Sequence, residues 1–175
     1  MKKSVGTPER LYPNPLVLVS CSDGINDNII TLAWAGTVCS NPPMISISIR
    51  PSRYSHKLII SSKEFVINIP DEKMTAACDF CGTKSGRDFD KFKETNLTRE
   101  KGLVIATPMI KECAVNIECR VKDIIHLGTH DLFIGEVLNV NADEKIIYSD
   151  GDIDYEKIDM LSYLMGHYLK NKIIK

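Results

Sequence analysis

The stretch PPMISISIRP, residues 42–51, constrains the chain more tightly than any other. Successive side chains of an extended backbone point to opposite faces, so Ile45, Ile47 and Ile49 share one side while Met44, Ser46, Ser48 and Arg50 share the other. Prolines bound the run at both ends. A half-buried strand needs partners, and the sequence supplies them. In PNPLVLVSCSDGINDNIITLAWAG (13–36) two apolar, β-rich runs are joined by Asp23-Gly24 and Asn26-Asp27, the punctuation of a hairpin with a slightly long loop. EFVINIP (64–70) reads as a short strand stopped by Pro70, and THDLFIGEVLNVNAD (129–143) reads as another. In CAVNIECRV (113–121) the residues Cys113, Val115, Ile117, Cys119 and Val121 share one face, predicted to bury both thiols. Asn116, Glu118 and Arg120 share the opposite face.

Helical signals are fewer. PSRYSHKLIISS (51–62) predicts a helix with Ser52 as N-cap and Leu58 and Ile59 on its buried face. DEKMTAACDF (71–80) predicts a short helix whose Asp71 and Glu72 suit the positive end of the helix dipole. CGTKSGRDFDKFKETN (81–96) is a Gly- and charge-rich loop with a helical turn expected at Arg87 to Lys93. EKIDMLSYLMGHYLKN (156–171) is predicted to close the chain as a helix with Gly166 at its C′ position. Many strands, two or three short helices and 175 residues predict one domain spanning 1–175, with residues 1–11 as an N-terminal arm. The expected class is mainly β, a closed or nearly closed barrel with helical decoration.

Composition narrows the function. A net charge of −1 lacks the basic footprint of a nucleic-acid binder, so no nucleic-acid partner is expected. In MKKSVGTPER the residues Gly6, Pro8, Glu9 and Arg10 stand where a signal peptide needs an apolar run, and no window is long enough to span a bilayer. The expectation is a soluble, cytoplasmic protein with no membrane partner. Six cysteines are an even number, but without a secretion signal free thiols are the better reading.

Among the motifs, most are ordinary. GTKSG lacks the length and the Lys-Ser/Thr of a P-loop, no GxGxxG opens a helix, and no GxSxG marks a nucleophile elbow. Cys78 and Cys81 have CxxC spacing, but neither a second pair nor a nearby pair of histidines accompanies them. His126 and His130 flank a Leu127-Gly128-Thr129 turn that would splay them, and SDGDIDY (149–155) lacks the glycine and closing glutamate of a calcium loop. No metal site is predicted. RPSRYSHK (50–57) is different: Arg50, Arg53, His56 and Lys57 lie beside a helix start whose free N–H groups, with Ser52 and Ser55, could hold a phosphate. A polar first turn with solvated cations is the competing reading. SGRDFDKF (85–92) adds Ser85, Gly86 and Lys91, a second hydroxyl-plus-cation set. The one tryptophan, Trp34, sits in TLAWAGTVCSNPP (31–43) among Ala33, Ala35 and Gly36, which leave empty space beside a large flat ring.

Taken in order, NIITLAWAGTVCSNPP, ISIRPSRYSHKLI, EFVINIP, SGRDFDKF and HDLFIGEV resemble the FMN-binding split-barrel, flavin reductase-like family, most closely its flavoredoxin-like branch. The resemblance runs from about Tyr12 to Tyr168. It implies a six-stranded Greek-key barrel that forms a homodimer with FMN near the interface. It further implies an oxidoreductase passing electrons from NADH, NADPH or a redox protein through the flavin to an acceptor. The alternatives are a flavin-binding electron carrier or redox sensor without turnover, acting through Cys39 or the Cys78/Cys81 pair, and a barrel that has lost its cofactor. Carried over by position, Asn28, Thr31, Ala33, Trp34, Thr37, Ser48 and Arg50 would lie along the FMN. Arg53, Ser55, His56, Ser85 and Lys91 would meet its phosphate end. Cys39, His130 and Tyr163 would complete the pocket, the last two in some arrangements from a partner subunit. Thr31 and Thr37 are expected to donate hydrogen bonds to the ring. In this reading the flavin carries the chemistry and no side chain is catalytic.

Overall fold

The strands expected from the alternation form, and the way the chain bends between two of them builds the barrel. The structure is a computed structural model that describes residues 1–9 and 11–174; Arg10, in the predicted arm, and Lys175 lie outside the described residues. In chain order the strands are β1 (Asn14–Pro15), β2 (Val17–Ser22), β3 (Asp27–Leu32), β4 (Ala35–Ser40), β5 (Pro43–Ile49), β6 (Glu64–Ile69), β7 (Arg99–Glu100), β8 (Met109–Ile110), β9 (Val115–Leu127), β10 (His130–Ala142), β11 (Leu161–Leu164) and β12 (His167–Lys170). The helices are α1 (Tyr54–Ser62), α2 (Thr75–Thr83) and α3 (Lys91–Glu94), with single 3₁₀ turns at Glu72–Met74, Glu144–Ile146 and Tyr155–Lys157.

Seven strands make one antiparallel sheet in the order β3-β2-β6-β9-β10-β5-β4. Its two edge strands, β3 and β4, are consecutive in the chain and separated only by Ala33 and Trp34. They act as one strand bent at that corner: the first half pairs with β2 and the second with β5, so the sheet curls until the chain itself joins its edges. The Ser48 N–H donates to the Trp34 carbonyl at 2.9 Å, carrying the β4–β5 ladder up to the corner. Counted this way the barrel has six strands and the split-barrel form that the resemblance implied.

Alternation fills the interior. Val19, Cys21, Ile47, Ile49, Phe65, Ile67, Cys119 and Phe133 point inward, and Leu58 and Ile59 of α1 plug one end. The opposite side of the β2–β3 hairpin, with Leu16, Leu18 and Ile29, is covered by Cys78 and Cys81 of α2, Phe92 of α3 and Leu161. β2 is therefore buried on both faces, which explains why apolar residues fill both of them from Val17 to Val19 and why Ser20 and Ser22 are buried too. Gly135 of β10 allows Phe65 to cross the barrel, because a Cβ there would collide with the Phe65 ring.

Several expectations are corrected. The C-terminal segment is a β-hairpin, not a helix. β11 and β12 turn through Met165 and Gly166, whose φ values of 47° and 90° are those of a two-residue hairpin turn, and β1 completes a three-stranded sheet. Gly166 thus serves a turn instead of a helix end. In α1 the N-cap is Arg53, in extended conformation and with no side-chain cap, and Ser52 lies one residue too early. The helical turn expected at Arg87 to Lys93 is confined to Lys91–Glu94 and capped by Asp90, which accepts from the Lys93 N–H at 3.3 Å.

Of the three residues on the predicted polar face of β9 only Arg120 is exposed, while Asn116 and Glu118 are buried. Asn116 is buried and donates to Asn68 Oδ1 at 2.8 Å and to the Ile110 carbonyl at 3.0 Å. Glu118 is fully buried: its carboxylate accepts the N–H groups of Leu103, Val104 and Ile105 at 3.1, 2.9 and 3.0 Å, together with the Asn141 amide at 2.9 Å. These bonds outweigh the burial that alone would raise its pKa, and hold the carboxyl below its usual range. The two thiols predicted on one face part company, Cys119 in the barrel interior and Cys113 against Met74 outside it. All six cysteines are free.

Candidate cofactor site

Where β3 bends into β4 the surface opens into a groove of about 430 Å³. β3 and the bend supply Ile30, Thr31, Leu32, Ala33 and Trp34, and the end of β5 supplies Ser48, Ile49 and Arg50. Asp79, Gly82 and Thr83 of α2 face them, with His130 of β10 and Tyr163, Gly166 and Tyr168 of the C-terminal hairpin. A smaller chamber of about 130 Å³ continues from this groove, the two sharing Ile30, Arg53 and Gly82. Its character is different: Asn28, Ser55 and Ser85 meet the cations Arg53, Lys84, Arg87 and Lys91.

The wide groove exposes more apolar than polar surface, and Ala33 at the bend and Gly82 opposite it are small. At Gly82 α2 lies beside β3, where an added Cβ would make ordinary contact with the Thr31 Cβ at 3.4 Å. The Thr31 hydroxyl donates to the Cys78 carbonyl at 2.6 Å, so its proton ties helix to strand and is not free for a ligand, a departure from the expected role. Trp34 is 43% exposed and packs against His130 at 4.6 Å between ring centroids, with the rings tilted by 44°. Burial, then the charges of Arg50 and Arg53, lower the His130 pKa and favour its neutral imidazole.

The narrow chamber is electropositive by construction. The N-terminus of α1 enters it without a side-chain cap, leaving its first N–H groups for a ligand. Ser55 is buried, accepts from Asn28 Nδ2 at 2.8 Å and has the Cys21 thiol as a second hydrogen-bond neighbour. Lys91 is buried, and its ammonium donates to the carbonyls of Ile29 at 2.8 Å and Cys81 at 2.7 Å. An ammonium has three donors, so one remains for the chamber. Burial lowers the Lys91 pKa.

The wide groove thus collects Thr31, Ala33, Trp34, Ser48, Arg50, Arg53, His130 and Tyr163 of the predicted set. The narrow chamber collects Asn28, Ser55, Ser85 and Lys91, again with Arg53. Thr37 and Cys39 line neither, since they stand on β4 beyond the bend. His56 turns away, its Nε2 bound to Asp131 Oδ2 at 2.7 Å while His126 Nδ1 holds the other carboxylate oxygen at 2.8 Å. The two histidines weighed as a metal pair are accordingly directed apart, to Asp131 and to Trp34. Sequence reasoning missed Asp79, Gly82 and Thr83, although their i, i+3, i+4 spacing marks one helix face. It also missed Tyr168, which the helical reading of the C-terminus hid. Cys78 and Cys81 point from α2 into the core, and burial raises their thiols to about 12 and about 11.

The flavin reductase like domain model matches residues 9–157, and the chain belongs to that family. Its function is flavin-related redox chemistry. Flavoredoxin of Desulfovibrio vulgaris (Miyazaki F) is 34% identical and superposes with a TM-score of 0.92, covering 100% of this chain and 96% of that one. Nitrilotriacetate monooxygenase component B from Bacillus cereus is 25% identical with a TM-score of 0.90, covering 100% and 98%. An uncharacterized protein of Archaeoglobus fulgidus is 32% identical over 155 residues, 89% of this chain and 87% of its own length. Among the described residues no helix is long and apolar enough to cross a membrane, and no group of three or more His, Cys, Asp or Glu is placed to hold a metal.

Proposed function

We propose that the chain binds FMN with its ring system in the wide groove and its phosphate in the narrow chamber, and works as an oxidoreductase. The observation that carries this reading is the adjacency of a wide groove, more apolar than polar, and a small cationic chamber sharing Arg53. A ring with an acidic tail demands that pairing. FMN, when bound, supplies the exchange of hydride and electrons. The chain's own part is to hold, orient and shield it. Trp34, Ala33 and Leu32 exclude water from one side, and Tyr163 and Tyr168 wall the other. Arg53, Ser55, Lys91 and the α1 N-terminus neutralise a phosphate whose charge is about −1.5 to −2 at neutral pH. The groove's open side leaves room for an electron donor such as NADH, NADPH or a redox protein.

The reading takes the chain as one cytoplasmic domain and a homodimer, in which the exposed Thr37 and half-buried Cys39 of edge strand β4 are free to approach a partner's groove. A sensor working through Cys78 and Cys81 is disfavoured, because both thiols are buried and protonated. The test is a visible spectrum followed by anaerobic addition of NADH and of NADPH. A protein that takes up no FMN refutes the reading. Bound flavin that neither nucleotide bleaches leaves a protein electron donor in its place.

A further inference from the structure

We infer that the Ser85–Arg87 loop selects a flavin that ends in a monophosphate and rejects one extended by a second nucleotide. The inference rests on the proposed placement of the flavin. Ser52, Lys84, Gly86 and Arg87 line the narrow chamber and not the ring groove. Arg87 donates from Nη2 to the Ser52 carbonyl at 3.1 Å, its guanidinium lying 5.7 Å from the centre of the Tyr54 ring. The loop is wound tightly behind it. Ser85 Oγ accepts from the Arg87 N–H at 3.2 Å, and the Ser85 carbonyl accepts from the N–H groups of Asp88 and Phe89 at 3.1 and 3.2 Å.

Gly86 fixes how near the loop comes. A Cβ at this position would collide with the Asn28 side-chain amide and the Tyr54 ring, so only glycine allows the backbone to sit against them. A chamber of about 130 Å³ lined by this loop receives a terminal phosphate. In the proposed placement a diphosphate leading to an adenosine would run against the loop held by the Arg87–Ser52 bond and by the close seat of Gly86 on Asn28. The cations Arg53, Lys84, Arg87 and Lys91 suit the dianionic phosphate monoester, whereas each phosphate of a diester carries one negative charge.

Apoprotein is titrated with riboflavin, FMN and FAD, following flavin fluorescence, for the native chain and for Arg87→Ala. Arg87 is exposed and outside the core, so the variant retains its fold. The native protein is expected to bind FMN at least about tenfold more tightly than either other flavin. In Arg87→Ala the preference for FMN over FAD shrinks by at least about fivefold, because the loop loses its bond to Ser52 and one phosphate cation is lost. Equal native affinity for FMN and FAD, or an unchanged preference in the variant, overturns the selector while leaving the flavin site standing. Riboflavin binding as tightly as FMN removes the phosphate chamber, and with it the selector. Failure of all three flavins to bind refutes the proposed function itself.

Discussion

Replacing Glu118 by glutamine tests how much of the fold hangs on one buried carboxylate. In the native chain Oε1 accepts the Leu103 N–H and the Asn141 amide, while Oε2 accepts the N–H groups of Val104 and Ile105. A glutamine has one acceptor oxygen and one NH₂ group, so in either orientation a donor faces at least one main-chain donor. Hydrogen bonds to a charged group are worth about 1.5–3 kcal/mol each, and losing one or two of them predicts a destabilisation of about 3 kcal/mol at pH 7. For a chain of this size that corresponds to a fall in Tm of about 6–12 °C, read by circular dichroism with flavin absent from both samples. The pH dependence gives a second check. The folded carboxyl titrates below its unfolded value of about 4.3, so its stabilisation is present above that pH and disappears as acid protonates the folded state. The gap between native and variant therefore closes on acidification. A Tm difference under about 2 °C at pH 7, or a gap that stays constant down to pH ~3, refutes the reasoning. Flavin affinity is expected to survive, because Glu118 lines neither chamber.

Other outcomes follow from the same geometry. Lys91→Ala weakens FMN binding at least tenfold, or about 1.4 kcal/mol, measured by fluorescence titration; unchanged affinity removes Lys91 from the phosphate contact. FMN affinity falls as pH drops below about 6, where the phosphate becomes a monoanion, while riboflavin affinity stays flat across the same range. A thiol reagent labels at most Cys39 in the native protein, because the other five cysteines are buried; mass spectrometry finding a second adduct before unfolding contradicts the core assignment.

Local signals made the barrel strands readable, and a non-local one hid the rest. Ile45, Ile47 and Ile49, or the Asp23-Gly24 turn, announce their structure within a few residues. Glu118 does not: it looks like the wet side of a strand until the 103–105 segment brings three N–H groups over it. The C-terminal hairpin was misread because Leu161, Leu164 and Tyr168 also suit a helical stripe. Gly166 fits either a helix end or a two-residue turn. At the site, the cations and small residues are visible in the sequence, yet Thr31 shows why a donor in the right block need not be available. Its hydroxyl is committed to α2 by a helix–strand packing that no local pattern announces. Arg87 was passed over for the same reason, since its meaning depends on Ser52 and Tyr54 in another part of the chain, and Gly86 stood out only as part of a polar set, not for its fit against Asn28 and Tyr54.

The corner at Ala33 and Trp34 means that the barrel closes through the chain it is made from. Elsewhere a ladder of hydrogen bonds resists opening, but here closure rests on the bend, on the bond from the Ser48 N–H to the Trp34 carbonyl and on the packing of Trp34 against His130. Those residues also line the groove. A ligand seated against them works as a rivet through the seam, so occupancy should slow local opening at the β3–β4 corner more than in the β9–β10 ladder on the far side of the sheet order.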